Sequence, residues 1–128
     1  MLYISKMEHC DEHKLWGYHL VMNCKGGNEA TRDKDKIIEF VRELVPAIDM
    51  EAYGEPQLVH FGKDNKAGWT LVQLITTSNI CCHFCDETGD FYFDLFSCKP
   101  FETVKVRDLI CKYFAPKQNQ ELLLKRGI

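Results

Sequence analysis

The chain lacks any apolar run long enough to span a bilayer, which argues against a helical membrane protein. It also lacks a basic surplus. Sixteen Lys and Arg against nineteen Asp and Glu leave a formal charge of -3, and the basic residues are scattered, so a nucleic-acid partner is not expected. An apolar leader is missing as well: Met1 to Asp11 carries Lys6 and Glu8 where a secretory signal needs an unbroken apolar core. Repeats, low-complexity segments and internal linkers are absent. Cysteine, by contrast, is plentiful. Its seven copies are an odd number without a secretory segment, which fits reduced thiols in the cytoplasm better than a disulfide framework. The 128 residues are enough for one domain with a real core; residues 1–15 read as an N-terminal extension and 16–128 as that domain.

Trp16 to Cys24 alternates His19, Val21 and Asn23 with Tyr18, Leu20 and Met22, and so reads as a strand. Lys25-Gly26-Gly27-Asn28 breaks it. From Asp33 to Val45 the residues Ile37, Ile38, Val41, Leu44 and Val45 recur at helical spacing, with Asp33 or Thr31 as cap and Pro46 as the stop. Gln57 to Phe61 predicts another strand, followed by a polar loop to Gly68. Trp69 to Thr77 and Ile80 to Cys85 read as strands around a tight turn at Ser78-Asn79, and Phe91 to Cys98 as the strand after the Asp86–Asp90 turn. Val106, Leu109, Ile110, Tyr113 and Phe114 mark a second helix from Thr103 to Phe114, stopped by Pro116; Gln120 to Leu124 adds a last strand.

The order β-α-β-β-β-β-α-β predicts an α+β, two-layer sandwich: a mostly antiparallel sheet with two helices on one face. Phe91, Phe93 and Leu95 alternate with Tyr92 and Phe96, and Leu71 and Ile75 with Val72 and Leu74, so these strands are apolar on both sides. Helices on one face leave the other bare. A second copy of the chain is the simplest cover, which predicts a homodimer.

Chemistry concentrates in Thr77-Ser78-Asn79-Ile80-Cys81-Cys82-His83 and in the strand ending at Cys98. Ser78 precedes His83 by five residues and Cys98 by twenty, a spacing at which neighbouring strands can bring together a nucleophile, a general base and a proton donor. A rival is a metal site at Cys81, Cys82, His83 and Cys85. Thiolates on tetrahedral zinc lie about 4 Å apart, whereas residues two apart on a strand face are separated by about 6–7 Å. Cys81, His83 and Cys85 therefore do not converge on a regular strand, and no metal is expected.

The same residues, through Glu87-x-Gly89 to Asp94-Leu95-Phe96-Ser97-Cys98, resemble the small prokaryotic-type S-adenosylmethionine decarboxylases. Gly17-Tyr18-His19-Leu20, Thr70 and the closing Arg126-Gly127 extend the resemblance over most of the chain. It implies self-cleavage between Thr77 and Ser78, with Ser78 converted to a pyruvoyl group that condenses with the substrate amine and acts as an electron sink. It further implies that His83 acts in the elimination and Thr70 hydrogen-bonds the intermediate. Cys98 would protonate the carbanion, Glu87 would hold the ribose hydroxyls, Ile80 would contact substrate, and the site would lie between two protomers. Three positions depart from the family pattern: Thr77 replaces a glutamate, Asn79 a histidine, and Cys85-Asp86 a Trp-Pro pair. These departures keep two other expectations open. One is a decarboxylase of another amine or amino acid; the other is an unprocessed homologue that binds a nucleoside or a protein partner without catalysis.

Overall fold

The computed structural model describes residues 14–76 and 78–128. Most of the expected extension, residues 1–13, and Thr77 of the expected cleavage site lie outside the described residues. Leu15, placed in that extension by sequence, opens the first strand, β1 (Leu15–Lys25). After it come α1 (Lys34–Ala47), β2 (Ala52–Phe61), β3 (Gly68–Ile75), β4 (Ser78–Phe84), β5 (Phe91–Ser97), α2 (Thr103–Phe114) and β6 (Gln118–Gly127). Short 3-10 turns precede α1 and β3. The strands form one sheet in the order β2-β3-β4-β5-β1-β6, every neighbouring pair antiparallel. The expected α+β sandwich is what the chain forms.

Alternation along each strand sorts the residues between two faces. Leu20, Met22, Cys24, Leu71, Ile75, Ile80, Cys82, Phe84, Phe91, Phe93 and Leu95 are buried against Ile37, Phe40, Val41, Leu44, Val106, Ile110 and Phe114 of the helices. The Asp33 side chain caps α1 by accepting from the Asp35 and Lys36 amides. Pro46 lies inside the last turn of α1 rather than ending it. A proline there forfeits one N–H bond but its carbonyl still accepts, here from the Asp49 amide at 3.0 Å.

The other sheet face has no layer over it among the described residues, and it reads across the strands in register. One row runs Val59, Thr70, His83, Tyr92, Asn23, Gln120. The next runs Gln57, Val72, Cys81, Asp94, Val21, Leu122, and a third Leu74, Asn79, Phe96, His19, Leu124. Val59 is 58% exposed, and Leu74 and Tyr92 are 49% exposed each.

Ser78 and Asn79 are strand residues, not the tight turn expected for them. β3 and β4 meet at the Ile75–Ser78 pair, with only residues 76 and 77 between. A turn at Ser78-Asn79 would carry Gly68 to Leu71 past the end of β4 at Phe84, whereas the observed register pairs Thr70 with His83 and Leu71 with Cys82. The earlier turn keeps these ladder bonds.

Candidate active site

Ser78 opens β4, half-buried, and pairs with Ser97 at the end of β5. Cys98 follows Ser97 and is exposed, so antiparallel spacing brings its backbone to about 6 Å from that of Ser78. β1 closes the corner. A Cβ on Gly17 would fall 2.6 Å from Ser97 O and 3.0 Å from the Cys98 Cα, an approach only glycine allows. The Ser97 hydroxyl, fully buried, accepts from the Lys99 amide at 2.9 Å. The backbones of Ser78 and Cys98 are thus neighbours at this corner.

His83 does not join them. It lies five residues further along β4, a strand length of about 16 Å, and an odd count places it on the opposite face. Its partner is Thr70, directly across the ladder: Thr70 Oγ1 is 2.6 Å from His83 Nδ1, and His83 Nε2 is 3.1 Å from Lys66 O. The Phe61 ring stands 6.2 Å from the imidazole. Within one chain there are two half-sites, Ser78 with Cys98 and Thr70 with His83, at opposite ends of β4. Glu87 is exposed in the β4–β5 turn, at the His83 end. The Ile80 side chain is fully buried in the core, packed away from any surface a substrate can reach on this chain.

Cys85-Asp86, the pair that departs from the family pattern, is taken up locally. Asp86 Oδ2 is 2.6 Å from His60 Nε2, and its carbonyl accepts from Arg32 Nε at 2.6 Å. Burial first, then the Asp94 carboxylate, raises the Cys81 thiol above the ordinary range. Burial likewise raises Cys82 strongly and Cys85 less. These thiols stay protonated at neutral pH in the metal-free chain. Among the described residues no three His, Cys, Asp or Glu side chains group closely enough to hold a metal ion.

The sequence reading missed a second polar cluster on the bare face. Arg126 Nη1 donates to His19 Nδ1 at 3.1 Å, leaving Nε2–H of the neutral ring to donate to Asp94 Oδ1 at 3.1 Å. The guanidinium covers the Phe96 ring at 5.1 Å. The signal lay in separate fragments, Gly17-x-His19-Leu20, Asp94 and Arg126-Gly127, that only the β5-β1-β6 pairing unites.

Among the described residues no helix is long and apolar enough to cross a membrane. No curated protein matches the chain. The crystal structure of the adenosylmethionine decarboxylase from Aquifex aeolicus VF5 has a similar fold, with a TM-score of 0.75 and 24% sequence identity over 90% of this chain and 93% of that one. The family model described as S-adenosylmethionine decarboxylase matches residues 18–127. Nearly the whole described fold is covered by that match, and the chain belongs to the S-adenosylmethionine decarboxylase family.

Proposed function

We propose that this chain is a self-processing decarboxylase of S-adenosylmethionine that serves spermidine synthesis in the cytoplasm. The observation that carries the reading is the Ser78–Ser97–Cys98 corner: a hydroxyl at the head of a strand with a thiol beside it. Ser78 Oγ adds to the Thr77 carbonyl carbon, its proton passing to the Ser78 nitrogen as the amide becomes an ester. A base then removes the Ser78 Cα proton, and the Thr77 carboxylate leaves with the electrons of the Cβ–O bond. Water hydrolyses the resulting dehydroalanine, ammonia departs, and a pyruvoyl group caps residue 78. The half-buried position and neighbouring thiol suit such a group. When formed, it supplies an electrophilic carbonyl that holds the substrate amine and accepts the electrons released with carbon dioxide.

Cys98 is the proton donor to the carbon left by carbon dioxide, and Glu87 receives the ribose hydroxyls. His83 and Thr70 serve the Ser78 of a partner chain, because strand geometry keeps them from their own. Two copies stacked through their bare faces cover Val59, Leu74 and Tyr92, and the open end of β4, where Ser78 stands, is where the partner's Thr70 and the partner's His83 reach round to it. Asp86, engaged by His60 where the family pattern has the proline of its Trp-Pro pair, favours a second reading in which the amine is a different amino acid.

Intact-mass analysis tests the proposal. Fragments 1–77 and 78–128, the second blocked at its N-terminus, together with carbon dioxide release from S-adenosylmethionine, are the expected result. Release from arginine or ornithine alone selects the second reading. A full-length mass that persists leaves an unprocessed homologue and removes the enzyme.

A further inference from the structure

Helix α1 ends in a pair of bonds that turns the chain sharply. The Asp49 amide donates to Pro46 O at 3.0 Å and the Met50 amide to Val45 O at 3.1 Å, while Asp49 takes φ +61. Glycine is the usual residue at this left-handed position, because a Cβ there is disfavoured. Aspartate occupies it here, and its side chain is 94% exposed. Lys99 explains its presence: Nζ donates to Asp49 O at 2.5 Å and lies 3.1 Å from Oδ2. Two residues on, Glu51 O accepts from both the Thr76 amide at 2.9 Å and the Thr76 hydroxyl at 3.0 Å.

The short segment from Asp49 to Glu51 therefore grips both flanks of the same hairpin end. Thr76 immediately precedes Thr77, and Lys99 immediately follows Cys98. A crevice of about 500 Å³ lined by Pro46, Asp49, Met50, Glu51, Thr76 and Lys99 opens beside this end, giving water a route to it. An ion pair this exposed adds little to stability, and a left-handed aspartate subtracts from it. What the pair gains is position.

We propose that Asp49 and Lys99 are positioning residues that hold the segment carrying the Thr77–Ser78 bond for self-cleavage, an inference that rests on the processing reading above. Both act through the flanks of that segment. Lys99 acts through the end of β5, where its own amide bonds Ser97 and so fixes the strand that pairs with Ser78.

The test follows intact mass over time in protein made by cell-free synthesis, with melting temperature measured on each variant. Wild type is expected to cleave. Asp49→Gly and Lys99→Met are expected to cleave roughly ten- to a hundredfold more slowly, the range for a small misplacement of reacting groups. Lys99→Arg is expected to keep more of the rate than Lys99→Met. The melting temperature of Asp49→Gly is expected to hold or rise, since glycine relieves the left-handed backbone, so rate and stability part company. Wild-type cleavage rates in Asp49→Gly and Lys99→Met, or rates that fall only in step with melting temperature, overturn the inference while leaving self-cleavage standing. A wild type that remains full-length overturns the processing reading and this inference with it.

Discussion

Thr70 Oγ1 stands 2.6 Å from His83 Nδ1, across one rung of the β3–β4 ladder. With Nε2–H donating to Lys66 O at 3.1 Å, the neutral ring leaves Nδ1 as the acceptor for the Thr70 hydroxyl. The histidine is thereby fixed in orientation and tautomer. Replacing Thr70 with valine keeps the strand shape and removes the donor, so self-cleavage should slow by about 10²-fold, the lower end for losing positioned acid–base help. Thr70→Ser should retain most of the rate. Timed intact-mass spectra of the two variants decide it: equal rates for valine and serine would show that the hydroxyl has no part.

The two half-sites on one chain predict complementation. Ser78→Ala cannot cleave, for it lacks the attacking oxygen, and His83→Ala should cleave slowly if at all. Mixed dimers place an intact His83 opposite an intact Ser78. Co-expression of the two variants should therefore restore cleavage of the His83→Ala chain alone, at about half the wild-type yield for random pairing. Mass spectrometry separates the chains by their substitutions. Absence of rescue, with both variants folded, would place Ser78 and His83 in service within a single chain.

Most of the architecture could be read from alternation and helical spacing, because burial enforces both. Ile37, Val41 and Leu44 mark α1, and Leu20 and Met22 mark the inner face of β1, as their spacing requires. The pairing of the Ser78 and Cys98 strands also followed from their order. Separation of Ser78 from His83 was derivable too, since five steps along a strand span about 16 Å and change face. What could not be read was register. Whether the β3–β4 connection comes before Ser78 or falls at Ser78 and Asn79 depends on which ladder leaves fewer groups unpaired across the sheet, a long-range sum that no local pattern contains. The union of His19, Asp94 and Arg126 depends on the same pairing.

Phe114 binds the two layers. Its ring centroid lies 4.9 Å from Phe40, 5.1 Å from Phe84 and 5.2 Å from Phe91, joining α1, β4 and β5 through α2. Truncation to alanine leaves a cavity that these three aromatic walls cannot close. The expected loss is about 3–5 kcal/mol, measured as a shift of the urea midpoint. A loss below about 1 kcal/mol would mean that the helices pack elsewhere.

Cysteine burial sets an alkaline limit. Burial first, then the nearby Cys111 and Glu121, pushes the Cys24 thiol from 9.0 up to about 12. In the unfolded chain that thiol ionises near 9.0, while in the folded chain it stays neutral until about 12. The stabilising difference is thus fully present below about pH 9 and is lost as pH rises from there towards 12. Cys82, raised by burial as well, acts in the same direction. Melting temperatures between pH 8 and pH 11 should fall less steeply in Cys24→Ala than in wild type. Parallel slopes would remove Cys24 from the alkaline transition.

Leu74 offers the sharpest test of the shared site. It is 49% exposed on the bare face, two residues from Val72 and in the same row as Asn79 and Phe96. A lysine there is solvated in a monomer, so the fold should lose no more than about 0.5 kcal/mol, but the charge is buried if two sheets stack. Leu74→Lys should therefore be monomeric by light scattering, folded by circular dichroism, and full-length by mass, because a monomer cannot deliver His83 to Ser78. Wild-type cleavage per chain should correspondingly rise with protein concentration until dimers saturate. A Leu74→Lys protein that is monomeric yet cleaves at the wild-type rate would separate assembly from processing and return both half-sites to one chain.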